Sequence, residues 1–142
     1  MLVRLLYASR SSKPVTAAVI ESILEQSRKH NPALGITGIL CQSGDAFMQV
    51  LEGGRTAVNT LYNQIVRDER HQDVVILHYE EVAERRFAGW TMGQVNLAKV
   101  NPSTLLKFGE TPALDPYAMS GQASMALLDE LIATAQILCR AN

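Results

Sequence analysis

The sequence predicts an α+β fold, a mixed sheet with two helices on one face, on three observations. Two-residue and 3.6-residue apolar periods alternate along roughly the first hundred residues, glycines and prolines separate them, and one apolar helical stripe is left over near the C-terminus. Leu2 to Ser9 alternates as a strand, with Val3, Leu5 and Tyr7 on one side and Leu2, Leu6 and Ala8 on the other. Apolar residues on both faces make it a central strand, broken only by Arg4.

From Pro14 to Arg28 the residues Val15, Val19, Ile23 and Ser27, flanked by Ile20 and Leu24, recur at helical spacing, with Pro14 near the start. The helix is expected to stop before Asn31-Pro32, because a proline disfavours helical geometry in the residue before it. Gly35 to Gln42 and Ala46 to Glu52 read as a hairpin turning at Ser43-Gly44-Asp45. Arg55 to Asp68 is a second amphipathic helix, with Val58, Leu61, Tyr62, Ile65 and Val66 at its spacing. Val74 to Tyr79 is a β-rich run. Trp90 to Leu97 is a weaker one, an edge strand after the charged link Glu84-Arg85-Arg86.

This order, βαββαββ, is the ferredoxin-like pattern with an extra strand, and it occupies residues 1–97. Residues 98–142 form a C-terminal helical extension. It passes linker-like Asn101-Pro102 and Thr111 to Pro116, then a helix from about Gln122 to Cys139 with the stripe Leu128, Leu131, Ile132, Ala135 and Leu138. Leu6, Met48 and Val50 point away from the two main helices, so the C-terminal helix, a partner subunit, or both must cover that face.

A chain of 142 residues buries a core without staples, and Cys41 and Cys139 lack the spacing of a disulfide framework or a zinc site. No apolar stretch approaches the roughly 20 residues of a membrane span, and the chain starts directly as a strand, so a cytoplasmic protein is expected. A net charge of −1 with scattered Lys and Arg gives no footprint for nucleic acid. Phosphate loops, HExxH and GxSxG are absent, and His30, His71 and His78 are not spaced as metal ligands, so no metal is expected.

Gln49 is the residue out of place: an amide within Phe47-Met48-Gln49-Val50-Leu51. Burying it unpartnered would cost roughly 1–3 kcal/mol, so its bonds go to something specific. Tyr7 shares a parity with Val3 and Leu5, Gln49 with Phe47 and Leu51, so both can face the helix layer as neighbours. Asn31, at the end of the first helix, can donate and accept towards anything bound between helix and sheet. Two readings stand on these residues: a satisfied polar core, or a slot for a flat heteroaromatic ligand.

Five segments resemble one family in order: Leu6-Tyr7-Ala8-Ser9, Asn31 to Leu40, Phe47 to Gly53, Arg67 to His71, and Arg85 to Met92. Together they are similar to the BLUF family of blue-light photoreceptors using FAD, in its short single-domain class. The resemblance implies a non-covalent FAD between the two helices and over the sheet. It places Asn31 at the ring's carbonyl and imide edge, Gln49 at N5 and the C4 carbonyl, and Tyr7 on Gln49. Ser27, His30, Arg70 and His71 would stand near the ring or its tail, with Leu24 and Ile65 as apolar walls.

It further implies that Tyr7 gives an electron and a proton through Gln49 to the light-excited flavin. Gln49 ends rotated or tautomerised, its changed hydrogen bonds biasing a two-state element. Trp90 and Met92, two positions apart on one strand face, are the switch candidates. The expected function is light sensing, not catalysis, by a homo-oligomer that signals to a separate downstream effector protein. A small acylphosphatase-like hydrolase and a ligand-free oligomerisation module are the competing readings.

Overall fold

Apolar residues of opposite parity along the first strand serve two separate cores, and the rest of the architecture follows. The computed structural model describes residues 1–134. Its elements are β1 (Leu2–Ser11), α1 (Ala17–Leu34), β2 (Thr37–Ser43), β3 (Ala46–Gly54), α2 (Arg55–Arg67), β4 (His71–Val82), β5 (Gly93–Asn96), α3 (Pro102–Phe108) and α4 (Gly121–Ala133). The sheet runs β4-β1-β3-β2-β5, with β5 parallel to β2 and the other pairs antiparallel. This is the predicted mixed sheet with β1 inside it.

Four local expectations are corrected. Helix α1 starts at Ala17, two residues after Val15, because the Thr16 hydroxyl accepts from the Val19 N–H and caps it. It also runs through Asn31-Pro32 to Leu34. The proline removes one N–H, but Gly35, at φ 69°, closes the helix by donating its N–H to the carbonyls of Asn31 and Pro32. The last expected strand shortens to Gly93–Asn96, since residues 88–92 form turns in which the Trp90 carbonyl accepts from the Gly38 N–H. A short helix, α3, occupies the stretch beginning at Pro102, capped by the Asn101 side chain. Asn101-Pro102 is a helix start, not a linker.

On one face of the sheet, Val3, Leu5, Tyr7, Phe47 and Leu51 pack with Ile20 and Leu24 of α1 and Val58 of α2. On the other, Leu6, Ile39, Met48 and Val50 pack with Leu105 of α3 and Met125, Leu127, Leu128 and Leu131 of α4. The C-terminal helix therefore supplies the cover that the second face required. Ala135, Leu138 and Cys139 of the expected stripe lie outside the described residues. No described helix is long and apolar enough to cross a membrane.

Close approach of β2 and β3 depends on Gly38, where an added Cβ would lie 1.9 Å from the Val50 carbonyl oxygen. Gly38→Ala is expected to destabilise the fold by about 3 kcal/mol, because main chain must move to admit it. Chemical denaturation measures this; an unchanged midpoint would show that β3 yields freely.

Candidate functional site

Tyr7 and Gln49 are placed face to face by the antiparallel register of β1 and β3. Both are buried, and the Tyr7 hydroxyl donates to Gln49 Oε1. The other end of the amide is also engaged: Gln49 Nε2 donates to Met92 Sδ at 3.3 Å. The Tyr7 ring meets Tyr62 of α2 edge-on, with centroids 5.7 Å apart. Burial, and then the neighbouring Tyr62, push the Tyr7 phenol above its ordinary value, so it stays protonated.

Met92 is fully buried in the core shared by the sheet and the two main helices, whereas the partly buried Trp90 packs against the opposite core. The expectation that both share one strand face is thus corrected. Alternation holds only in a strand, and residues 90–92 precede β5. Met92 is the residue beside Gln49.

A cleft of about 290 Å³ opens between α1 and α2 above this group. Tyr7, Gln49, Asn31, Ser27, His30, Ile65, Arg70 and His71, all expected site residues, line it. Leu24 does not: it is fully buried in the layer below, because it sits one position off the helix face that meets the cleft. Ile23, Leu40 and Leu61 form the apolar walls with Ile65. Helical spacing carried the signal for Ile23 and Leu61, while Leu40 lies on β2 and comes to the cleft through the sheet. Ile23, Ser27, His30 and Leu34 follow one stripe of α1, and Leu61, Ile65 and Asp68 one stripe leaving α2.

His71 is anchored by Ser9 Oγ, 3.0 Å from Nδ1, and burial lowers its pKa, which favours the neutral ring. At the mouth, Arg70 grips the Asp68 carboxylate at 2.7 and 3.0 Å, and that hydrogen-bonded contact holds the Asp68 pKa down at about 2. A depressed carboxylate contributes stability above the ordinary 3.8 and loses it as the pH falls through about 2. Asp68→Asn should therefore lower the unfolding midpoint between pH 4 and pH 8 and converge with the parent below pH 2. The pair is largely exposed, so the difference stays within about 1 kcal/mol. A pH-independent difference would contradict the pairing.

A family model described as sensors of blue-light using FAD matches residues 2–93. The chain belongs to the BLUF family. Domains of this family sense blue light using FAD. The photoactivated adenylate cyclase subunit beta of Euglena longa is 36% identical over 92 residues, 64% of this chain and 11% of that one. The blue light- and temperature-regulated antirepressor BluF of Escherichia coli is 36% identical over 89 residues, 61% of this chain and 22% of that one. The chain thus spans a small part of these curated relatives. Among solved structures, the dark state of BlrB, a BLUF protein, is 35% identical with a TM-score of 0.79, covering 94% of this chain and 96% of that one. BlsA in its photo-activated state is 30% identical with a TM-score of 0.80, covering 93% and 95%.

The residues of this BLUF chain fit a flavin on their own geometry. Asn31 Nδ2 is buried without a hydrogen-bond partner, a costly state for an amide that faces nothing, and Asn31 lines the cleft. A planar ring with carbonyl and imide edges offers that amide an acceptor, and the apolar walls suit its faces.

Proposed function

We propose that Tyr7 and Gln49 are the photoactive pair of this sensor, Asn31 the residue that orients the flavin ring, and Met92 the first residue to register the change. The observation that supports this is one unbroken line of contacts, from the Tyr7 hydroxyl to Gln49 Oε1 and from Gln49 Nε2 to Met92 Sδ, beside the unpartnered Asn31 amide. FAD supplies blue-light absorption and, when excited, a strong oxidant. With the cofactor bound, Tyr7, whose phenol stays un-ionised and hydrogen-bonded to Gln49 Oε1, would give an electron and that proton towards it and recover both on recombination, so that tyrosine and cofactor end chemically unaltered. Gln49 passes the proton and exchanges its donor and acceptor ends, a change available to an amide but not to a carboxylate or an aliphatic side chain. Met92 Sδ, a weak acceptor, then faces an altered partner. Ser27, His30, Arg70 and His71 hold the ring's edge or the tail towards the mouth.

Residues 1–97 act as the photosensory domain and residues 98–142 as the cover that reports its state to a separate effector protein. The antirepressor and cyclase names of the relatives support an effector as the destination. Self-association is supported by Val75, Ile76 and Tyr79, exposed along β4 at the open edge of the sheet. The near-neutral charge argues against nucleic acid, and two cysteines without the paired spacing of a disulfide framework suit a reducing cytoplasm.

Asn31→Ala is expected to weaken FAD retention about tenfold, the loss of one charge-neutral hydrogen bond. Equilibrium dialysis of the purified protein measures it, and unchanged retention removes Asn31 from the binding set. For the output, affinity capture in the dark and under blue light should enrich one protein in one state only. Identical captures would refute signalling in trans.

A further inference from the structure

Glu52 lies three residues beyond Gln49 on β3 and points to the opposite face, towards the core that α4 closes. Its carboxylate is fully buried, a state that persists only when the charge is paired and its lone pairs are filled. Arg4 Nε donates to Oε2 at 2.7 Å, and Arg4 Nη1 reaches on to Glu80 of β4 at 2.6 Å. Arg4 alone would neutralise Glu52. Two further donors come from the main chain: the Arg86 N–H to Oε2 at 2.9 Å and the Phe87 N–H to Oε1 at 2.7 Å.

Those two amides begin the segment that leads to Trp90 and Met92. Its far end is tied by the Gly38 N–H to the Trp90 carbonyl at 3.0 Å and by Arg28 to the Met92 carbonyl at 3.4 Å. Arg86 also pairs with Asp129 of α4 at 3.1 Å, and Phe87 is fully buried in the core that holds Leu127 and Leu128. Strand β3 is therefore gripped on both faces, by Gln49 on one and by Glu52 on the other.

We propose that Glu52 is a positioning residue of the light response, clamping the main chain at Arg86 and Phe87 to β3 so that a displacement beside Gln49 reaches α4. The clamp rests on the roles given above to Gln49 and Met92. Glu52 touches neither the cleft nor Tyr7, so its effect appears in transmission and not in the photochemistry.

The test is residue-resolved amide exchange on the full chain, cofactor-free and loaded with FAD, in the dark and under blue light, with the absorbance shift recorded alongside. In the wild type, light should change exchange at Arg86, at Phe87 and across α4 together. Glu52→Gln should keep the absorbance shift, accelerate exchange of the Arg86 and Phe87 amides about tenfold even without FAD, and abolish the light-induced change in α4. Because that variant strands the Arg4 charge, Arg4→Met with Glu52→Gln provides a pair without a buried ion, expected to behave the same way. A wild type whose α4 ignores light, or variants whose α4 still responds, overturns the clamp, as does unchanged protection of the two amides. A wild type without any absorbance shift instead overturns the roles of Tyr7 and Gln49, and exchange in the cofactor-free protein still decides the clamp.

Discussion

Tyr7→Phe is expected to retain bound flavin and to lose the light-induced spectral shift entirely. The substitution removes one oxygen and leaves the ring that packs edge-on against Tyr62 and fills the core between Val3, Leu5 and Phe47. Losing the bond to Gln49 Oε1 costs on the order of 1 kcal/mol, too little to unfold a domain. The photochemical consequence is of another order, since phenylalanine has no proton to release with an electron and no donor to define the orientation of Gln49. Absorbance difference spectra of the loaded variant measure it. A normal shift would remove Tyr7 from the mechanism.

Deleting residues 121–142 is the second large effect. It strips Met125, Leu127, Leu128 and Leu131 from the sheet and uncovers Leu6, Ile39, Met48 and Val50, all buried in the intact chain. At about 1.5–3 kcal/mol for each large side chain, the loss approaches the whole stability of an ordinary domain, about 5–15 kcal/mol. The truncated chain should therefore self-associate or unfold. The approach is close as well as apolar: a Cβ at Gly121 would sit 2.1 Å from the Leu77 carbonyl oxygen of β4. Sedimentation velocity with an unfolding curve reports the outcome, and an unchanged profile would mean that α4 contributes little to the core.

Tyr7 and Gln49 were legible in the sequence because each is a polar residue in a strand run whose neighbours demand burial, whereas Asn31 stood out only by its place at the end of the first helix. The parity argument that put Tyr7 beside Gln49 needed only that both strands alternate, and the direct register of the pair bears it out. Parity failed at Trp90 and Met92 for the same physical reason: a short edge run before β5 turns instead of alternating, and nothing local distinguishes the two. The end of α1 was misjudged because the Pro32 rule is a local bias, while Gly35 closes the helix three residues later. Helix α3 was overlooked because Asn101-Pro102 serves a linker and a capped helix start equally well. Leu24 was assigned to the wall since helical periodicity marks the inward face but not which inward residue meets a cleft and which the sheet. Glu52 carries no local signal, standing at the end of a strand run where an acid is ordinary, because its partners Arg4, Arg86 and Phe87 are brought to it only by the fold.

Tyr7 and Gln49 are proposed to switch hydrogen bonds beside a flavin that itself emerges unaltered. Absorbance of the purified, FAD-loaded protein before, during and after blue light tests it most directly. A yellow protein whose flavin bands move slightly to the red under light and return fully in the dark is the predicted result. A protein that cannot be loaded with FAD, or one whose bound flavin bleaches or stays unmoved under blue light, would contradict it.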